Sequence, residues 1–246
     1  MKKFPLFCAI LALLVSFSAL AESAEPAGLQ SGSFSVTDQS VFWVSKGGEK
    51  RELKGVYVNS FSYKGEDENA VWFQVDEDLS RKLGEKEGIY CLQIPENRVI
   101  GFLPIKEEDG CYDLIFSPGA KYVAADFGST PYRVYGIYDF ESGEEIVSFP
   151  GMREFIWVDS ERLVYTNPDR NERDKPGEIT NCLSAALYDM KSEKTTILKQ
   201  ATETSDYRIE GTWGGTALIT EYYVKSSKDW SDDENIQERR VTVPIP

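Results

Sequence analysis

Ile137-Tyr138-Asp139-Phe140-Glu141-Ser142-Gly143-Glu144-Glu145-Ile146-Val147-Ser148-Phe149 reads as a short apolar strand, a polar Ser-Gly turn and a second alternating strand. That alternation around a turn is the pattern of a half-buried β-hairpin. Leu187-Tyr188-Asp189-Met190, Lys191-Ser192-Glu193-Lys194 and Thr195-Thr196-Ile197-Leu198 repeat the plan, with Tyr, Asp and Ser at identical offsets. Ile89-Tyr90 opens an earlier copy, and Phe42-Trp43 reads as a worn first one. The markers Trp43, Tyr90, Tyr138 and Tyr188 are 47, 48 and 50 residues apart. Self-similarity at such a period indicates a repeat architecture.

A second hairpin lies between the markers. Leu114-Ile115-Phe116 leads through Ser117-Pro118-Gly119-Ala120-Lys121 into Tyr122-Val123-Ala124-Ala125, and Phe155-Ile156-Trp157 leads through Val158-Asp159-Ser160-Glu161 into Arg162-Leu163-Val164-Tyr165. Weaker copies run from Phe61 to Phe73 and from Gly211 to Ile219. Two hairpins per period give four short strands, the blade of a β-propeller. The expected fold is therefore all-β, a propeller-like array of four-stranded antiparallel blades with about four repeats. Pairing the opening hairpin (41–54) with the closing one (207–224) would complete the fourth blade and remove exposed sheet edges. Val123, Leu163 and Leu218 are expected at equivalent buried positions. An immunoglobulin-like sandwich, the main alternative, does not account for the repeat interval.

Phe116-Ser117-Pro118-Gly119-Ala120-Lys121-Tyr122-Val123-Ala124 resembles the W-S-P-D-G-K-x-L-A unit of TolB-like, WD-repeat-like bacterial propellers. The Tyr138-Asp139 pair and the Ser142-Gly143 turn follow as in that family. The similarity covers about residues 36–225, and Gly119-Ala120 stands where the family has Asp-Gly. The resemblance implies a propeller fold and export. It carries over no catalytic residues, because the family shares none.

Lys2 and Lys3, the apolar run from Phe4 to Leu20 and Ala19-Leu20-Ala21 match a cleavable signal peptide over residues 1–21. A short linker is expected over 22–35 and one propeller-like domain over 36–246, in a periplasmic or secreted protein. No later apolar run is long enough to span a bilayer. Removing the leader with its two lysines takes the 27 basic residues to 25 against 41 acidic ones, a net charge of −16. That sign repels phosphate backbones, so nucleic acid is not an expected partner.

The chain has no histidine, which removes Ser-His-Asp triads, Cys-His pairs and His-ligated zinc. No phosphate-binding glycine motif and no C-x-x-C is present. Asp229-Trp230-Ser231-Asp232-Asp233-Glu234-Asn235 concentrates oxygen ligands but lacks calcium-loop spacing, so it reads as a solvated acidic loop. Neither a metal nor another cofactor is expected. Cys91, Cys111 and Cys182 remain after leader removal. A Cys91–Cys111 disulfide is one reading, and three buried small apolar residues is the preferred one.

The sequence therefore favours an exported, non-enzymatic module that binds a protein or envelope component. Its alternatives are a carboxylate-dependent glycoside hydrolase, which needs only two acidic side chains, and a structural subunit of an envelope complex. The second-to-third-strand segments Asp76–Gly88, Asp126–Arg133, Asn167–Asn181 and Ser226–Gln237 are long, and the other turns are short. Insertions gathered on one face of a repeat protein often form its binding face. Arg133, Arg170, Arg173 and Trp230 are the expected contacts, because Arg and Trp are frequent interface anchors. Trp72, Trp157 and Trp213 are expected in the core between blades.

Overall fold

The computed structural model describes residues 31–128, 134–150, 154–175 and 178–246, with side chains described outside 150 and 169–181. Its strands form five antiparallel sheets that follow one another along the chain. The first has three strands, β1 (Gly32–Thr37), β2 (Ser40–Ser45) and β3 (Lys50–Leu53). Three complete four-stranded blades follow. The second sheet comprises β4 (Asn59–Tyr63), β5 (Glu66–Val75), β6 (Gly88–Gln93) and β7 (Arg98–Leu103). The third holds β8 (Asp113–Phe116), β9 (Tyr122–Asp126), β10 (Val134–Asp139) and β11 (Glu145–Pro150), and the fourth holds β12 (Phe155–Trp157), β13 (Arg162–Lys175), β14 (Glu178–Asp189) and β15 (Lys194–Lys199). The fifth closes the series with three strands, β16 (Ser205–Trp213), β17 (Thr216–Tyr223) and β18 (Gln237–Pro244).

Alternation within the middle strands determines how the sheets stack. In β5, Val71, Phe73 and Val75 join the core shared with the first sheet, while Ala70 and Trp72 join the core shared with the third. In β9, Val123 and Ala125 face back toward the second sheet, and Tyr122 and Ala124 face forward to the fourth. Leu163 and Tyr165 of β13 face the third sheet, and Val164 faces the fifth. Successive strand residues point to opposite faces, so a strand packed on both sides is apolar throughout. Four such cores join the five sheets in chain order, and among the described residues none joins the first sheet to the fifth.

The opening and closing hairpins thus do not merge into one blade; each belongs to its own three-stranded sheet. The expected 22–35 linker overlaps β1, whose Phe34 is buried against Phe73 and Tyr90 with ring centroids 5.1 and 4.8 Å away. β1 starts beside Glu85, which follows the second sheet's helix, and ends where Val36 N–H donates to Asn97 Oδ1 (2.6 Å) in the β6–β7 turn. β1 therefore runs parallel in direction to β6, and β2 runs the opposite way. Trp43 in β2 is accordingly no copy of Tyr90, Tyr138 and Tyr188, which lie in the third strands β6, β10 and β14.

Turn chemistry holds the register. Asp139 Oδ1 accepts from the N–H groups of Glu141 and Ser142 (3.1 and 2.9 Å), Asp159 Oδ1 from those of Glu161 and Arg162 (both 2.9 Å), and Asp189 Oδ1 from that of Ser192 (2.8 Å). These are Asx-type turns. At Gly143 (φ 72°) a Cβ would lie 2.4 Å from the Phe102 carbonyl oxygen, so only glycine lets this turn approach the second blade. Ala120 occupies the left-handed region at φ 54°, where a β-carbon is disfavoured.

Val123 and Leu163 are fully buried, but Leu218 is only half-buried. In β17 it is Ala217 and Ile219 that face the fourth sheet. Leu218 points to the far face of the last sheet, because a one-residue offset exchanges the faces. Leu163→Ala should cost about 2–5 kcal/mol through cavity formation, and Leu218→Ala clearly less, as read from urea unfolding midpoints.

Two of the turn carboxyls are held below the usual range. Burial opposes ionisation of Asp159, but the Glu161 N–H and the Arg162 side chain outweigh it, while at Asp189 the Ser192 N–H leads the lowering. Stability from a lowered carboxyl is present above its unfolded value and lost as pH falls through the folded one. Asp159→Asn should therefore flatten the stability loss that sets in as pH falls below about 4, as read from urea titrations on the acid side.

Candidate functional site at the long-link end

In the second, third and fourth sheets, the connection between the second and third strands is the longest segment or carries the longest strands; the fifth sheet follows the same rule. In the second sheet it is a helix, α1 (Glu77–Leu83), capped by Asp76 Oδ1 accepting from Leu79 N–H (2.7 Å) and ended by Gly84 at φ 68°. Leu83 is the buried residue that docks it. In the fifth sheet two 3₁₀ turns, Ser227–Ser231 and Asp233–Asn235, fill the connection. The expected loop Asn167–Asn181 is mostly strand, because β13 and β14 continue past the sheet as a long hairpin with a register shift between Asp169 and Glu172.

Hydrogen bonds between neighbouring sheets lie at this end for the first pair and the last pair of sheets. Ser31 N–H and Gly32 N–H donate to Glu85 Oε1 (2.9 and 2.8 Å), and the Trp43 indole N–H donates to the same oxygen (3.3 Å). Glu85 is only 4% exposed, so its carboxylate is a structural acceptor that fastens the first sheet to the second. Leu183 N–H donates to Asp206 Oδ1 (2.9 Å), tying the base of the long hairpin to the start of β16. At the opposite end Lys121 Nζ meets Glu161 Oε1 at 2.5 Å and Arg162 Nη1 donates to the Pro246 carbonyl (2.6 Å), linking the short turns. The long-link end exposes Glu77, Asp78, Glu107, Glu108, Asp109, Glu203, Asp232, Asp233 and Glu234, and the short turns expose Glu66, Asp67, Glu68, Glu96, Glu141, Glu144 and Glu193, so both ends are acidic.

The expected contact residues separate. Arg133 lies outside the described residues. Arg170 and Arg173 fall on the outer part of β13, Arg173 opposite Thr180 and Arg170 within the register shift, at the long-link end as expected. Trp230, expected as an exposed contact, is buried at 5% exposure, and its indole N–H donates to the Glu203 carbonyl (2.8 Å). It packs the 3₁₀ turn onto the β15–β16 link and is an anchor of the fold. Trp72 and Trp157 are buried as expected, but Trp213 is 87% exposed. It stands at the tip of β16, before Gly214 and Gly215, on the outer face of the last described sheet. Tyr57 and Tyr112, in links between sheets, are also exposed. A Trp abutting a Gly-Gly turn at the end of the last hairpin was the signal available for Trp213.

Chemically this end offers carboxylates and backbone groups. Among the described residues no cluster of three or more His, Cys, Asp or Glu has the geometry to hold a metal ion. Among the described residues no helix is long and apolar enough to cross a membrane.

No family model and no curated protein matches the chain in sequence. Among solved structures it is similar to the β-propeller domain of the Trilobed protease from Pyrococcus furiosus, described as having an open velcro topology, at 11% identity and a TM-score of 0.43, over 87% of this chain and 70% of that one. It is also similar to the tricorn protease (12% identity, TM-score 0.47, 77% of this chain and 18% of that one). A third likeness is to the Pyrococcus horikoshii acylaminoacyl peptidase (10%, TM-score 0.44, 81% and 34%). The chain spans about a third of that peptidase's length.

Trp230→Ala should cost about 3–5 kcal/mol, whereas Trp230→Phe, which retains most of the packing and loses the indole donor, should cost about 1 kcal/mol. Chemical denaturation measures both, and equal small losses would mean that the turn is not held by this side chain.

Proposed function

We propose that this chain is an exported, TolB-like propeller module that binds a protein or envelope component through its long-link end and performs no catalysis. The supporting observation is the distribution of inserted structure. α1, the long β13–β14 hairpin and the two 3₁₀ turns all join second to third strands, while the remaining turns are short. Inserted segments that recur at one end of a repeat fold are suited to contact another molecule. Arg170 and Arg173 on the hairpin are the proposed anchors, together with Arg133. Trp230 is removed from that set by its burial.

Export rests on residues 1–21, whose basic start, apolar run and Ala-x-Ala end fit a signal peptide. The absence of histidine from the whole sequence supports the non-catalytic reading.

The test uses the exported protein as bait against the envelope fraction. Arg170→Ala with Arg173→Ala should reduce capture at least tenfold without shifting Tm. Trp213→Ala, at the opposite end, should leave capture unchanged; the reverse pattern would place the site on the short-turn end. Turnover on a panel of glycosides or cell-wall fragments, abolished by one Asp or Glu substitution, would replace this reading with the hydrolase.

A further inference from the structure

The last sheet stops at its third strand. In each complete blade a fourth strand, β7, β11 or β15, pairs with the outer edge of the third, whereas among the described residues no strand pairs with the outer edge of β18. The register sets Pro244 opposite Thr216, and the Ile245 N–H donates to the Gly215 carbonyl (2.9 Å). Antiparallel ladders alternate between hydrogen-bonded and non-hydrogen-bonded pairs, so Val243, Val241 and Arg239 turn their backbone groups toward β17. Glu238, Arg240 and Thr242 turn theirs toward the open edge, and Pro244, which has no N–H to offer, falls on that same side. The core is thin at this place. Tyr138 of β10 and Ala186 and Tyr188 of β14, which face the preceding sheet from complete blades, are buried. Val241 and Val243 face the fourth sheet from β18 and are only half-buried.

We infer that the open edge of β18 takes up an extended segment of a partner protein as an antiparallel fourth strand, with a carboxylate of that segment opposite Arg240 and apolar residues opposite Val241 and Val243. This surface is separate from the long-link end and does not depend on it. Main-chain hydrogen bonds to Glu238, Arg240 and Thr242 supply the pairing, as in other cases of strand addition to a sheet edge, and Pro244 ends the ladder. Arg240 lies opposite Thr220, on the face away from the fourth sheet. Its side chain is 76% exposed, and its Nε stands 3.6 Å from Glu210 Oε2, so the guanidinium keeps donors for a second carboxylate. Alternate residues of the incoming strand fall on the inner face, where they extend the fourth core over Val241 and Val243.

A second copy of this chain fits the edge less well. Pairing β18 with itself about the middle of the three edge residues sets Arg240 opposite Arg240, and like charges directly opposite are destabilising. The two-fold of an antiparallel pair is perpendicular to the sheet, so a second copy would also bring its fourth sheet to the face that the first copy's fourth sheet already occupies. A single extended segment brings nothing behind it.

The probe is a fluorescein-labelled peptide, Val-Thr-Val-Glu-Thr-Lys, whose Glu falls opposite Arg240 and whose Lys falls opposite Glu238. Titrated with the purified chain, it should bind saturably by fluorescence anisotropy. N-methylation of the peptide's Glu, whose N–H faces β18, should abolish binding, and N-methylation of the Val before it, whose N–H points away, should leave the affinity unchanged. Arg240→Glu should weaken binding roughly fivefold, and a peptide with Arg in place of Glu should recover it. Thr242→Pro removes an outward N–H without touching the β17 ladder, so it should keep the Tm and lose the peptide. Arg170→Ala with Arg173→Ala should bind the peptide normally, which separates this edge from the long-link end. Absence of saturable binding, or equal affinity for the two N-methylated peptides, would overturn the inference. So would a chain that sediments as a dimer and is dispersed by Thr242→Pro, because a second copy would then occupy the edge.

Discussion

The two-residue period of the β-strand is the constraint on which this molecule depends. Each inner strand of the three complete blades serves two cores at once, sending alternate residues to the sheet before it and the sheet after it. Val123 and Ala124, or Leu163 and Val164, are neighbours in the chain yet belong to different cores. A shift of one residue would leave composition unchanged and send every large side chain to the wrong neighbour.

Aromatic rings set the spacing between sheets. Phe61 and Phe116 stack at 3.9 Å between the second and third sheets, and Tyr135 and Phe155 at 5.2 Å between the third and fourth. Gly101 gives the Phe140 ring its place, since a Cβ there would lie 2.5 Å from two ring carbons. The joint between the first and second sheets adds a polar element, donors of Ser31, Gly32 and Trp43 converging on the Glu85 carboxylate. A buried carboxylate is tolerated where charge-assisted hydrogen bonds replace its water.

The hairpins of the complete blades were legible because alternation and turn chemistry are local. Asp139 and Asp189 act as the turn residues their positions suggested, and the hairpins around Phe61, Phe116, Trp157 and Trp213 form where they were read. The first sheet was not legible. Phe34 and Val36 alternate in a strand outside the repeat as it was read, and the 47-residue interval from Trp43 to Tyr90 matched a strand of opposite direction. The exchanged fates of Trp213 and Trp230 have the same origin. Whether an aromatic is covered depends on which element lies over it, and neither the end of the stack nor the fold of residues 224–236 is written in a local pattern. The Asn167–Asn181 stretch read as loop because a hairpin that leaves the core has no neighbour to demand apolar side chains.

Serial stacking has a further consequence for how the molecule comes apart. An interior sheet is held on two faces and a terminal sheet on one, so the energetics are those of a one-dimensional array with nearest-neighbour coupling. Openings that release an end sheet break one interface, and those that release a middle sheet break two. Thermal fluctuation should therefore travel inward from both ends, with amide exchange fastest in β1–β3 and β16–β18 and slowest in β9 and β10. The middle blade is the rigid keel, and its flanks are the compliant parts of the same object.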